Sequence, residues 1–232
     1  MPDARELAVV IPAWNEADRI AATVGAASAI PGAGLVVVVD DGSRDDTARR
    51  AKDAGAAVMR HARNRGKGAA METGAEAVRL LDEQNGNPHR HLLFLDADLA
   101  ETAERAGPLA APVLDGTADM TIAVFTATVK LGGHGMVVGL AGKGIRRATG
   151  WQPRQPLNGQ RCLTRAAFEA ARPLAHGFGI ETALTIDLMR KGMRITEVEV
   201  DLAHRATGTD LRAQLHRARQ LADVARALAT RR

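Results

Sequence analysis

Two acids one residue apart, Asp96 and Asp98, close the apolar run His91-Leu92-Leu93-Phe94-Leu95. Four consecutive large apolar residues predict a buried strand in the middle of a parallel sheet. Residues i and i+2 of an extended segment point the same way. Both carboxylates can therefore aim at one spot past the strand's carboxyl end, where ligands bind in open α/β sheets. Two carboxylates converging there repel each other unless a cation stands between them, and hard oxygen donors suit Mg²⁺ or Mn²⁺. The same residues also suit an Asp turn in which Asp98 caps a helix before Glu101. Their neighbours along the chain decide between the two.

Two familiar nucleotide cradles fail on inspection. A phosphate-binding P-loop needs glycine five residues before its Gly-Lys pair and Ser or Thr after it. Here His61 and Gly68 occupy those places. A dinucleotide fingerprint should follow the first strand, but Pro12-Ala13-Trp14-Asn15-Glu16 stands there. What remains are sites built from acids, a lysine and a metal.

The elements that would position these residues alternate. Leu7–Ile11 predicts a strand ended by Pro12, and Asn15 then reads as the N-cap of a helix reaching about Ala29. Leu35–Val39 predicts a second strand, closed by Asp40-Asp41-Gly42-Ser43. Asp45 and Asp46 fall in the first turn of the next helix, where acids complement the dipole. A short strand over Ala56–Arg60 and a helix from Gly66-Lys67-Gly68 to about Glu83 come before the Asp96/Asp98 strand. A helix near Ala103–Leu114 and a strand near Met120–Phe125 continue the alternation, which implies a parallel sheet with crossover helices. Residues 130–161 are rich in glycine with no clean periodicity and predict a long functional loop. Helices over Ala166–Ala171 and Glu181–Lys191 and a strand over Arg194–Leu202 follow. A last helix, about Asp210–Leu228, lines Leu211, Leu215, Ala218, Ala222, Ala225 and Leu228 along one face, with Arg212, Arg217, Arg219 and Arg226 largely off it. That face reads as core packing, and contact with an anionic membrane stays open as the alternative.

Composition narrows the partners. The 232 residues are 46% hydrophobic and 25% charged, which describes a globular chain able to bury a core. No charged-then-apolar leader and no apolar run of about 18 residues is present. The expectation is a cytoplasmic protein, with a peripheral place on the inner face of the membrane as a variant. The single cysteine, Cys162, excludes an internal disulfide and reads as a small core residue. A net charge of +4 and a pI of about 9.8 favour anionic partners. Aromatic residues make up only 3% and tyrosine is absent, so single-stranded nucleic acid would find few stacking platforms. Nucleic acid is not an expected partner.

Read in order, four segments fall at strand ends on one edge of the predicted sheet: Pro12-Ala13-Trp14-Asn15-Glu16, Asp40-Asp41-Gly42-Ser43-Arg44-Asp45-Asp46-Thr47, Asn64-Arg65-Gly66-Lys67-Gly68 and Asp96-Ala97-Asp98. This ordered set resembles the family 2 glycosyltransferases of the GT-A fold, strongly over residues 7–125 and more weakly over 157–205. The resemblance implies one GT-A domain over 1–232, a Rossmann-like α/β sandwich with a mostly parallel central sheet flanked by helices. Its nucleotide-binding half would cover about 1–125 and its acceptor-side half about 126–232.

The resemblance also implies roles. Pro12, Ala13 and Glu16 would lie beside the ribose and base, and one carboxylate of Asp40 and Asp41 would take the N–H of a uracil ring. N-capping of the next helix is the plainer job for those two acids, although Ser43 is better placed for it. Lys67 would reach the base or diphosphate, with Asp96 near the ribose or sugar. Asp98 would hold Mg²⁺ or Mn²⁺, joined in some members by a late histidine, here His204. Gly177-Phe178-Gly179-Ile180-Glu181 resembles the element that brings an acid, Glu181, to the donor sugar or the acceptor hydroxyl. Asn158, Gln160 and Arg161 loosely match a loop facing the acceptor in polyprenyl-phosphate sugar transferases.

The implied reaction is an inverting, metal-dependent transfer of a sugar, a hexose first, from a nucleotide-sugar to a phosphorylated lipid or small molecule. A UDP-sugar is favoured and a GDP-sugar remains open. The metal would neutralise charge on the leaving diphosphate, and Glu181 would serve as general base if the acceptor is an alcohol. Processive members carry a Gln-x-x-Arg-Trp element and membrane helices; here Gln214-Leu215-His216-Arg217 is followed by Ala218. A sugar nucleotidyltransferase would need a glycine-rich loop after the first strand. A non-catalytic nucleotide-sugar-binding relative would tolerate loss of the Asp-x-Asp, which is intact. A homodimer stays open among the partners, as does peripheral membrane contact through the basic C-terminal helix.

Overall fold

Branched apolar runs build the middle of the sheet. In the computed structural model, which describes residues 6–126, 135–202 and 211–231 (the side chains of 211–217 excepted), β1 (Leu7–Ala13) and β2 (Ala33–Asp40) carry Val9-Val10-Ile11 and Val36-Val37-Val38-Val39. These residues are buried on both faces, as central parallel strands require. With β3 (Ala57–Arg60), β4 (His91–Phe94), β5 (Met120–Phe125), β6 (Arg161–Leu163) and β7 (Ile195–Val200), they form one sheet in the order β3-β2-β1-β4-β6-β5-β7. Every pairing is parallel except those of β6, which runs antiparallel between β4 and β5. The mostly parallel α/β architecture expected from the sequence is present.

Helices cover both faces. On one side α1 (Ile20–Ser28), α2 (Thr47–Asp53), a 3₁₀ segment over Ala100–Leu109 and the single turn α4 (Ala111–Leu114) pack on Val9, Ile11, Val36, Val38, Leu93 and Leu95. On the other, α3 (Lys67–Gln84), α6 (Arg165–Ala171) and α7 (Ile180–Arg190) pack on Val10, Val37, Val39, Leu92, Phe94 and Ile122. There Phe94 stacks on Phe168, with ring centroids 5.5 Å apart. A third, smaller cluster joins α5 (Gly135–Thr149) to α8 (Leu211–Ala229) through Val137, Ala141 and Val224. Cys162 is fully buried, and burial pushes its thiol pKa far up. Among the described residues no helix is long and apolar enough to cross a membrane.

Four local expectations give way. The expected loop over 130–161 contains α5, whose Val137, Ala141, Gly142 and Ile145 are buried at helical spacing, the glycines having obscured the pattern. The expected helix near Ala103–Leu114 is mostly 3₁₀, because Pro108 and Pro112 lack the N–H that a continuous α-helix needs. The short antiparallel β6 had no sequence signal as a strand. On α8 the packed face is Val224, Ala227 and Leu228, whereas Ala218, Ala222 and Ala225 are exposed. The expected stripe is therefore rotated, and among its residues with described side chains only Leu228 touches the core.

Gly74 sits where α3 crosses the sheet. A Cβ there would run into Val10 Cγ1 and stand 3.1 Å from Val39 Cγ2. Alanine in a helix interior gains about 1 kcal/mol over glycine, but overpacking a core costs about 1–3 kcal/mol. Crowding against β1 and β2 should win here. Gly74→Ala is expected to lower stability by up to about 2 kcal/mol in urea unfolding, and an unchanged or raised midpoint would contradict that packing.

Candidate active site

The β1 and β2 exits are laced together. Asn15 N–H donates to Ser43 Oγ at 2.9 Å, and Arg44 N–H donates back to Asn15 Oδ1 at 2.9 Å. Glu16 N–H donates to Thr47 Oγ1 at 2.9 Å and Ala17 N–H to Asp45 Oδ2 at 3.2 Å. Burial works to raise the Asp45 pKa, but the hydrogen bonds from Thr47 and Ala17 outweigh it and the net shift is downward. Two sequence readings change in consequence. Asn15 does not cap α1, which starts at Ile20 behind Arg19; its side chain serves the neighbouring loop, and its backbone takes φ +55°. Ser43 does not cap α2 because its hydroxyl is held by Asn15.

Asp40 ends β2, Asp41 follows it, and the two carboxylates take different partners. Asp40 is fully buried; its Oδ1 accepts Ser43 N–H at 2.9 Å, and its Oδ2 lies 3.0 Å from Arg60 Nε as an ion pair off the hydrogen-bond direction. Asp41 is 4% exposed. Its Oδ1 stands 2.6 Å from His61 Nδ1 and accepts Arg65 N–H at 2.8 Å, while Oδ2 accepts Gly66 N–H at 2.8 Å. The turn between the acids and these donors needs Gly42. Its φ is +75°, and a Cβ would sit 2.6 Å from the Arg63 carbonyl carbon. A cavity of about 390 Å³ opens beside this turn, lined by Gly42, Ser43, Arg60, His61 and Ala62.

Beyond β4, the Asp-x-Asp turn is fastened from α1. Buried Thr23 donates to the Ala97 carbonyl at 2.8 Å and accepts Ala100 N–H at 2.9 Å, and Arg19 donates to the Asp98 carbonyl at 3.2 Å. Ala100 adopts φ +49°, a left-handed conformation that costs an alanine about 1 kcal/mol. Ala97 points into the core between the two acids, which are both partly exposed.

Lys67, the first residue of α3, brings the two parts of the chain together. Its Nζ lies 2.8 Å from Asp96 Oδ1 and 3.4 Å from Glu181 Oε1, at the start of α7. Burial disfavours the ammonium, yet the two acids outweigh it and raise the lysine pKa well above its usual value. With both carboxylates ionised, the raised lysine pKa contributes stability that is present below the ordinary lysine range and is lost as pH rises through the folded value, so the contact is intact at neutral pH. Gly159 leaves the space: a Cβ on it would collide with Lys67 Nζ and stand 3.4 Å from Glu181 Oε1. Glu181 is in turn set by α8, where Asp223 Oδ2 accepts Phe178 N–H at 3.0 Å and fills the place of a Gly177 side chain.

The residues expected on the acceptor side fall differently. Asn158 Oδ1 accepts Gln160 N–H at 2.9 Å, and the side-chain amide of the fully buried Gln160 makes no hydrogen bond to the described residues. Arg161 belongs to the core instead of facing a ligand. It is 1% exposed and donates to the carbonyls of Asn158 and Pro156 and to Thr185 Oγ1. Burial pushes its pKa down to about 10, with Glu181 opposing the shift. Its role here is to tie the 156–159 loop to α7. His204 lies outside the described residues. Sequence reasoning missed Thr23, His61, Thr73 and Gly159. Only Gly159, inside Asn158-Gly159-Gln160-Arg161, carried a signal.

Acids and a lysine gathered at the carboxyl rim of a mostly parallel sheet define an α/β transferase-type site, and the comparisons agree. The family model described as Glycosyl transferase family 2 matches residues 8–162, and the chain belongs to that family. Glycosyltransferase AglJ of Haloferax volcanii is 30% identical over 90% of this chain and 67% of its own length. A glucosyl-3-phosphoglycerate synthase of Mycolicibacterium paratuberculosis is 30% identical over 79% of this chain and 60% of its own. Among solved structures, glucosyl-3-phosphoglycerate synthase from Mycobacterium tuberculosis, in complex with Mn²⁺, UDP and phosphoglyceric acid, is 25% identical with a TM-score of 0.78. It covers 98% of this chain and 78% of its own. The same enzyme with Mg²⁺ and UDP gives a TM-score of 0.75. The chain is thus a family 2 glycosyltransferase with a GT-A-type fold.

Displacing a positioned group by about 1 Å can lower turnover about 100-fold. Gly159→Ala is therefore expected to reduce sugar transfer about 10- to 100-fold while leaving the thermal midpoint close to the parent's. Full activity in that variant would show that Lys67 need not stand between Asp96 and Glu181.

Proposed function

We propose that this chain transfers a sugar, with inversion, from a UDP-sugar to a phosphorylated acceptor in a divalent-metal-dependent reaction. The observation that carries the reading is Lys67 held between Asp96 and Glu181, within a fold shared by an enzyme solved with Mn²⁺, UDP and phosphoglyceric acid. The donor set fits a hard cation: Asp96 and Asp98 are carboxylates two residues apart beyond β4, and Asp96 already draws a cationic group to 2.8 Å. Asp98, with His204, would hold Mg²⁺ or Mn²⁺; the ion, when bound, neutralises charge on the diphosphate leaving group.

The remaining work belongs to side chains. Pro12, Ala13 and Glu16 line the ribose and base on the stiff β1 exit. Of the two β2 acids, Asp41 is the better base reader, because Asp40 is wholly buried and faces Arg60. Lys67 meets the diphosphate, and Asp96 the ribose or sugar. Glu181 takes the proton of an alcohol acceptor; an acceptor that attacks through a phosphate oxygen requires no strong base. Asn158 and Gln160 border the acceptor side. The phosphoglyceric acid bound by the mycobacterial enzyme favours a small phosphorylated acceptor over a lipid phosphate. Were the acceptor a lipid phosphate, the exposed Arg219 and Arg226 of α8 would meet the bilayer.

A thermal-shift panel of UDP- and GDP-sugars with and without Mn²⁺ tests the donor. UDP-sugars should raise the midpoint, more with Mn²⁺ than without. If neither nucleotide class stabilises the protein in a metal-dependent way, the reading fails. Asp98→Ala should remove the metal-dependent part of the shift and keep the remainder; an unchanged shift would place the metal elsewhere.

A further inference from the structure

His61 is a titratable residue, 8% exposed, to which the proposed reaction gives no role. It stands at the end of β3 with both ring nitrogens occupied: Nδ1 is 2.6 Å from Asp41 Oδ1 and Nε2 is 2.9 Å from Thr73 Oγ1 on α3. The hydrogen-bond inventory fixes the direction of this chain. Asp41, as a carboxylate, only accepts, so Nδ1 carries the hydrogen toward it. In the neutral ring Nε2 then accepts the Thr73 hydroxyl. Asp41 Oδ1 is saturated by His61 and Arg65 N–H, whereas among the described residues Oδ2 accepts Gly66 N–H alone. A carboxylate oxygen has two lone pairs, so the free acceptor capacity of Asp41 is concentrated on Oδ2.

We propose that His61 is a positioning residue for recognition of the nucleotide base. By filling Oδ1 and anchoring the carboxylate to α3 through Thr73, it reserves Asp41 Oδ2 for one ligand donor. The chemistry that fits is a ring imide N–H, as in uracil; cytosine, whose corresponding nitrogen bears no hydrogen, offers nothing to that oxygen. The same Asp41 holds Arg65 and Gly66, the two residues before Lys67, so base recognition and delivery of Lys67 share one support. This inference rests on the proposed reading of Asp41 as the base reader.

The test compares UDP and CDP affinity by calorimetry, with donor KM, kcat and thermal midpoint, in the full chain and its variants. His61→Leu should weaken UDP about tenfold, the scale of one charge-assisted hydrogen bond, and CDP much less. It should raise donor KM more than it lowers kcat. His61→Asn, whose side-chain amide can present an N–H near the Nδ1 position, should retain most of the UDP affinity. If Leu at position 61 prevents folding, His61→Gln replaces it; its amide reaches Thr73 but not Asp41, and UDP should again weaken. Parental UDP affinity in His61→Leu or His61→Gln, equal losses in the Leu and Asn variants, or equal losses for UDP and CDP would overturn the proposal. Asp41→Asn separates the two levels. If it weakens UDP while the position 61 variants do not, Asp41 reads the base and His61 has no part in it. If it leaves UDP unchanged, or if the parent binds no UDP, both readings fall.

Discussion

One ammonium group joins the two parts of the chain at the rim of the sheet. Lys67 comes from the nucleotide-side helix α3, Asp96 from the β4 exit and Glu181 from α7, well over a hundred residues beyond Lys67. Two carboxylates this near one another in a partly buried place would repel and draw water in; the lysine between them makes the arrangement stable. Much else in the molecule serves that meeting. Gly66 at φ +90° turns the chain into α3, Gly68 clears the Ala175 carbonyl and Ile180, and Gly159 clears the ammonium itself. Asp223 on α8 and Arg161 in the core fix the two ends of the support for Glu181.

The rim is rigid on one side for a different reason. The loops leaving β1 and β2 exchange four hydrogen bonds through Asn15, Ser43, Asp45 and Thr47, none of which is itself a reacting group. The Asp96-Ala97-Asp98 turn is likewise fastened to α1 through Thr23. The carboxylates at the rim therefore sit on backbones that neighbouring polar side chains hold in place, as a preorganised electrostatic site requires.

The fold was legible wherever one physical signal dominated. Continuous apolar runs such as Val36-Val37-Val38-Val39 and Leu92-Leu93-Phe94-Leu95 specified buried parallel strands, and acids at their ends marked the rim. Signals that depend on partners were not legible. Asn15 looks like a cap in sequence but spends its side chain on Arg44, 29 residues away along the chain and adjacent in space. His61 and Thr73 are unremarked residues until α3 folds back beside β3. Arg161 has the composition of a ligand-binding residue, and only its burial under Pro156 and Thr185 shows otherwise. In α5, small residues allow close packing against α8, and Leu228 fills the space a Gly144 side chain would take; the same small residues erase the amphipathic pattern.

The reversed direction of β6 has a consequence for how such an enzyme can diversify. β5 leaves the sheet at the catalytic rim, and because β6 is antiparallel the chain re-enters the sheet at that same rim. The stretch between them, of which residues 135–160 are described, leaves β5 and returns into β6 beside the site. Its length and composition can change without shifting any strand register or lengthening any crossover beneath the sheet. A parallel strand in that position would have forced the return path to the far edge, away from the chemistry. A change of length there is taken up at the rim, while β1, β2 and the loops that lace them together stay as they are.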